Sequence, residues 1–300
     1  MLMSDYNSTI NKEELAKSLA RYESTLDQLV NLGLNVNPSR LKKYIEPYNQ
    51  MIMRWGTESI SSIVSNKQYA SALFEVHQMV EIGEKLLELK HDNLTAALKK
   101  TLSGDELYSV DAKKKKTNSA RDFSFELFMA RYFKRAGYDL NFDTIADINA
   151  TDEQDSIFIE CKRPAKEETV GPNIQKALKQ AIKRFDPNDK RNQKGIAAID
   201  VTALINPEHE FLVPNDLSFI SDVLKNADHA YAPAFQQAFS EYGTDCLSII
   251  VYFSFPVFQL KDETIGIYDR CFSIPIYHEG SLSEDVFLRL NDKLMTSVGK

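Results

Sequence analysis

The chain has 300 residues, 43% of them hydrophobic and 26% charged, which is enough for one large domain or two ordinary ones with an ample core. A net charge of −7 argues against a generic polyanion binder. No apolar run reaches membrane-spanning length, and the start M-L-M-S-D-Y-N has neither the basic nor the apolar region of a signal peptide.

The first hundred or so residues read as helices. Asn11 with Glu14 resembles a capping box, and Leu15, Leu19, Tyr22, Leu26 and Leu29 recur at helical spacing as far as Gly33. Asn37-Pro38 reads as an N-cap followed by proline at the first helical position, with a break or kink near Pro47. A long helix is expected from about Asn66 to Lys90, and a shorter one from Leu94 to Leu102. This all-helical module, 1–112, is either a bundle that packs on the rest or a surface for dimerisation or partner recognition. Ser103-Gly104-Asp105 and the lysines 113–116 mark a boundary, the lysines forming a solvated linker or a phosphate-backbone contact.

From Ser119 the pattern becomes mixed α/β, giving a second domain over 113–300. A helix with apolar residues on most sides runs to Gly137 and carries Glu126 in its middle, where a charge requires a solvated edge or a cationic or metal partner. Short strands follow at Tyr138–Phe142 and Ile145–Ile148. A polar turn over Thr151–Asp155 then leads into a strand at Ser156–Lys162. Asn173–Phe185 is expected as an amphipathic helix, with Gln175, Lys176, Lys179, Gln180, Lys183 and Arg184 on its polar face, and Gly195–Val201 as a buried strand. Helices near 215–227 and 232–242, strands near 246–254 and 265–275, and a helix from Ser283 to Leu294 complete the chain.

Three cysteines, Cys161, Cys246 and Cys271, form no C-x-x-C pair and indicate reduced thiols in a cytoplasm. Five scattered histidines give a zinc site little support. Charge is unevenly spread. Residues 1–112 carry 12 basic and 15 acidic groups, 113–194 carry 18 and 13, and 195–300 carry 6 and 15. The one net-positive segment surrounds the stretch Asp147 to Lys162, D-I-N-A-T-D-E-Q-D-S-I-F-I-E-C-K.

An E-x-K triplet alone says little, because chance places about one in a chain of this size. Glu88-Leu89-Lys90 and Asp111-Ala112-Lys113 have the same form. On a helix, residues two apart point to opposite sides, so Glu88 and Lys90 cannot share a site. Asp111 and Lys113 sit in a charged linker. Glu160 and Lys162 end an expected strand, where residues two apart face one side. Asp147 lies across the expected turn, within reach of Glu160. Mg²⁺ or Mn²⁺ takes such carboxylate oxygens and keeps positions open for water and phosphate. Lys162 is placed to orient the attacking water or to neutralise the transition state.

The run Glu126 … Asp147 … Glu160-Cys161-Lys162 resembles the PD-(D/E)xK nuclease superfamily, over about 119–205 of the chain. The resemblance implies a restriction-endonuclease-like α/β core, a central mixed β-sheet flanked by helices; the helical amino terminus and the acidic C-terminal third lie outside it, the latter read from its strands as extending the sheet. It implies Asp147 and Glu160 as metal-binding acids, Lys162 as the catalytic lysine and Glu126 as the helix acid used for metal or water positioning. A glutamine of the following helix would stand near the site, Gln175 first and Gln180 second. The implied activity is Mg²⁺- or Mn²⁺-dependent endonucleolytic cleavage of DNA, with defence against foreign DNA as its context. Ala146 stands where many members have proline, and Asp143 is a rival metal acid. Lys176, Lys179, Lys183 and Arg163 are candidates for nucleic-acid contact, the lysines having a solvated helix face as the plainer alternative. Asp200 is read as closing a strand, with a site role as the lesser alternative, and Cys161 as a core residue. The rival readings are a nuclease-fold module that binds nucleic acid or protein without chemistry, a Glu160–Lys162 surface ion pair, and a regulatory subunit whose acidic C-terminal section meets a basic partner.

Overall fold

The computed structural model describes residues 2–7, 11–89, 92–104, 119–142, 147–214, 231–259 and 264–296. The 113–116 lysines, the boundary near residue 112, Asp143 and the 215–227 helix lie outside them.

Local signals set the amino-terminal helices. Helix α1, Lys12–Asn31, is capped by Asn11, whose side chain accepts from the Glu14 N–H at 2.9 Å, and Gly33 beyond its end takes φ 81°. Helix α2, Arg40–Lys43, starts after Ser39 rather than at Asn37-Pro38, and α3, Ile45–Arg54, follows with Pro47 in its first turn. There proline's missing N–H breaks no helical bond. Helix α4, Ile60–Val64, and α5, Lys67–Leu86, come next, the latter capped by Asn66 through the Gln68 and Tyr69 N–H groups. Helix α6 is Asp92–Thr101 and α7 is Ser119–Arg135. Gly83 lets α5 approach α1, since a Cβ there would lie 2.6 Å from the Thr25 side chain.

Among the described residues, six strands from residue 139 onward form a mixed sheet, and a seventh from the amino terminus joins its edge in the order β1-β7-β6-β5-β4-β3-β2. The strands are β1 Leu2–Asn7, β2 Asp139–Asn141, β3 Ile148–Thr151, β4 Asp155–Lys162, β5 Asn192–Asp200, β6 Cys246–Gln259 and β7 Thr264–Pro275. Two expectations are corrected. The amino-terminal section is not all helical, since Leu2–Asn7 pairs antiparallel with β7. The second short strand, expected at Ile145–Ile148, runs on to Thr151 from Ile148, so the turn is shorter, while 145–146 lie outside the described residues. That turn is an Asx turn: Asp152 Oδ1 accepts from the N–H groups of Gln154 at 2.8 Å and Asp155 at 2.7 Å.

Strand β4 lies antiparallel to β3 and parallel to β5. Such a central strand is buried on both faces and is built from β-branched and aromatic residues, here Ile157-Phe158-Ile159. Its odd positions, Ile157, Ile159 and Cys161, join the core made with α1, α5, α7 and a helix at Leu282–Thr296. Its even positions face α8, Val170–Ile182, where Phe158 meets Ala181 and Phe185. Helix α8 and the helical residues 231–242 form the second core over β5 and β6. Gly195 fits this contact closely: a Cβ would stand 2.8 Å from Cys246 Sγ and 3.1 Å from Ala181. The short helix α9 is Thr202–Ile205, residues 231–242 are α10, and α11 is Leu282–Thr296. Helix α11 grips the β3–β4 hairpin through Arg289, bidentate to Asp155 at 2.7 and 3.0 Å, and through Lys293 to Asp152.

The amino-terminal helices share the first core and are joined to α7 by a buried ion cluster. Glu75 of α5 meets Arg40 at 2.6 Å and Arg121 at 2.7 Å. Arg40 also donates to the Thr101 carbonyl and the Ser124 hydroxyl, and Arg121 to the Tyr44 hydroxyl. Burial alone raises the Glu75 pKa, but the two guanidiniums more than offset it and hold the carboxyl at about 2. Replacing Glu75 by Ala strands two buried cations, so chemical denaturation is expected to show a loss of about 3–5 kcal/mol. A loss below about 1 kcal/mol would show that the cluster behaves as a surface pair.

Candidate active site

The β3–β4 register places Ile148 opposite Ile159, which carries Asp147 to the level of Glu160. The Asp147 carboxylate is fixed by the backbone: its Oδ2 accepts from the Cys161 N–H at 2.7 Å. The same oxygen lies 3.6 Å from Lys162 Nζ, and Glu160 Oε2 lies 3.3 Å from that ammonium. Lys162 also donates to the Cys161 carbonyl at 3.0 Å. The two acids and the lysine therefore converge at the carboxyl end of β4, where strand alternation turns Glu160 and Lys162 to one side.

Glu160 is 2% exposed. Burial raises its pKa first and Asp147 adds to this, while Lys162 and then Arg184 pull it down, leaving it above the ordinary value. For Lys162, burial favours the neutral amine, but Asp147 and Glu160 outweigh it and its pKa rises. The lysine is thus an ammonium at neutral pH. Burial pushes the Cys161 thiol well up, so it is an inert core group.

Glu126 approaches from α7. Burial, then Asp147 and Asp122, push its carboxyl up to about 9, against smaller pulls from Lys162 and Lys100. At neutral pH it is a carboxylic acid, able to donate a hydrogen bond, and among the described residues it has no salt bridge.

On α8, Gln175 is partly buried and both atoms of its amide lack hydrogen-bond partners, as does Gln180 Oε1. Lys176, Lys179 and Lys183 are exposed. Arg163 is turned inward: its Nε donates to Asp200 at 2.7 Å and its Nη1 lies 3.6 Å from Asp122. Asp200 is buried, accepts from Arg163, and accepts through its other oxygen from the Thr202 N–H at 2.9 Å, tying the end of β5 to the start of α9. Two residues not singled out from the sequence stand here as well: Asp122 beside Arg163, and Arg184, whose Nε is 3.5 Å from Glu160 Oε1. Arg184 is one helical turn beyond Gln180, a spacing that places both on one face.

Two carboxylates of adjacent strands, turned to a shared positive charge, form a donor set that fits a hard divalent ion. Glu160 Oε1, buried without a hydrogen-bond partner, is an acceptor such an ion would satisfy. Among the described residues no group of three or more His, Cys, Asp or Glu side chains is placed to hold a metal. Mg²⁺ is commonly bound through only one or two carboxylates plus water and phosphate. Among the described residues no helix is long and apolar enough to cross a membrane.

No protein-family model, curated protein or solved structure matches this chain.

The Glu126 carboxyl makes a direct pH prediction. Its pKa is raised in the folded state, so the stability it contributes is present below the ordinary value of 4.5 and is lost as pH rises toward about 9. Glu126→Gln keeps the hydrogen-bonding shape without the ionisation. Thermal melts are expected to show the variant more stable than wild type at alkaline pH, with the gap closing as pH falls toward 4.5. A gap independent of pH would contradict the raised pKa.

Proposed function

We propose that this protein is a metal-dependent nuclease with a restriction-endonuclease-like core, cleaving phosphodiester bonds of DNA in Mg²⁺ or Mn²⁺. One observation carries the reading: the carboxylates of Asp147 and Glu160 and the ammonium of Lys162 meet at the ends of two adjacent strands. The order of elements supports it. A helix bearing an acid (α7) precedes a three-stranded antiparallel ribbon, a helix (α8) and a parallel strand (β5). This is the setting that the resemblance of Glu126, Asp147, Glu160 and Lys162 to PD-(D/E)xK nucleases calls for.

Asp147 and Glu160 would hold the divalent ion. When bound, such an ion activates water and stabilises charge developing on phosphate oxygens. Lys162, kept protonated by its two acidic neighbours, contributes a fixed positive charge beside the reacting phosphate and a donor that orients water. Glu126, protonated at neutral pH, is in the state to donate a proton or hydrogen bond. Asp147 cannot swing away freely, because the Cys161 N–H holds it. Lys176, Lys179 and Lys183 give the outer face of α8 the positive charge that a phosphate backbone attracts.

DNA cleavage in Mg²⁺ or Mn²⁺ is the direct test. Glu160→Ala and Lys162→Ala are expected to lower the rate by about 100-fold or more, with duplex binding retained by Lys162→Ala. Wild-type and variant rates that are equal would remove these residues from the chemistry. Binding without cleavage in all forms would favour a nuclease-fold module that recognises nucleic acid without cutting it.

A further inference from the structure

Glu160 faces a cation at each of its oxygens, and the two contacts differ. Oε2 accepts a hydrogen bond from Lys162 at 3.3 Å. Oε1 lies 3.5 Å from Arg184 Nε, and both of these atoms are buried with no hydrogen-bond partner. Settled arginine–carboxylate pairs form short charge-assisted bonds. This protein has several: Arg121 with Glu75 at 2.7 Å, Arg163 with Asp200 at 2.7 Å and Arg289 with Asp155 at 2.7 Å. Arg184 balances the charge of Glu160 but leaves its Nε donor uncommitted. It sits just past the end of α8, 22% exposed, next to the exposed Lys183. The guanidinium therefore stands between the candidate active site and the cationic outer surface.

We propose that Arg184 binds a backbone phosphate of the nucleic acid at this site, and that its loose contact with Glu160 is the resting position of that donor. The inference rests on the nuclease reading. Two carboxylates, Asp147 and Glu160, face two cations, Lys162 and Arg184, so the four groups balance one another. With a divalent ion on the carboxylates, the same groups carry two net positive charges, and phosphate oxygens are the anions that such a site attracts. Arg184 then loses its electrostatic reason to face Glu160, and its planar fork matches two phosphate oxygens in a way lysine cannot. Arg184 is thus a substrate-binding residue that also fills the site's charge balance before substrate arrives.

The test is the binding of a short fluorescent DNA duplex by the full chain, with Ca²⁺ replacing Mg²⁺, across a salt series. Arg184→Ala is expected to weaken binding about tenfold and to reduce the slope of log affinity against log salt by about one phosphate contact. Arg184→Lys is expected to keep the slope with an intermediate affinity. Should Arg184→Ala lose its cooperative unfolding transition, Arg184→Met, which keeps the apolar stem, makes the same comparison. An unchanged affinity and slope would overturn the role of Arg184 while leaving the nuclease reading in place. A wild-type chain that fails to bind the duplex would overturn both.

Discussion

The cost of keeping Asp147 and Glu160 close together and largely out of water governs the structure around them. Two carboxylates in this position repel one another and lose hydration, and each must be compensated by charge or hydrogen bonds. The compensation comes from four directions: the Lys162 ammonium to both, the Cys161 N–H to Asp147, Arg184 to Glu160, and the neutral state of Glu126. Burial first, and then repulsion from Asp147 and Asp122, push the Glu126 carboxyl up to about 9, so it adds no third negative charge at neutral pH. Under the proposed function, a divalent ion would take over from Lys162 and Arg184 the compensation of both carboxylates.

The scaffold holds those groups from both faces of the sheet. Helix α8 presses on β4 and β5 through Ile174, Ala177, Leu178 and Ala181, and Arg184, just past its end, reaches Glu160. On the other face, α7 carries Asp122 and Glu126 and is fastened to the amino-terminal helices by Arg40, Glu75 and Arg121. Ion pairs that deep seldom add much net stability over apolar packing, but removing one partner leaves an uncompensated buried charge. The C-terminal helix completes the arrangement by gripping Asp152 and Asp155 at the hairpin turn, opposite the end that bears the site.

Much of this was legible in the sequence wherever the signal was local. Asn11 and Asn66 cap their helices as residues of that type do, and Gly33 and Gly137 take positive φ beyond helix ends. The strand placement of Glu160 and Lys162 followed from a β-branched run, and Asp147 from its distance across a turn. What stayed hidden depended on contacts distant in sequence. Strand β1 exists because β7 offers it an edge, and nothing in Leu2–Asn7 announces that partner. Arg184 read as one more charge on a polar helix face, because only the packing of α8 on β4 brings it to Glu160. Arg163 read as a candidate for nucleic-acid contact, whereas Asp200 and Asp122 draw it inward. The helix start at Ser39 instead of Asn37 shows a turn competing with a cap, where Ser39 donates to the Val36 carbonyl.

The central claim is that Asp147 and Glu160 together hold a divalent ion. Crystals soaked in Mn²⁺ and measured at the manganese edge test it most directly. The account predicts one anomalous peak within coordination distance of both carboxylates, with Lys162 Nζ moved from its present position between them. Crystals that bind Mn²⁺ elsewhere or not at all, with the Lys162 bridge intact, would contradict it.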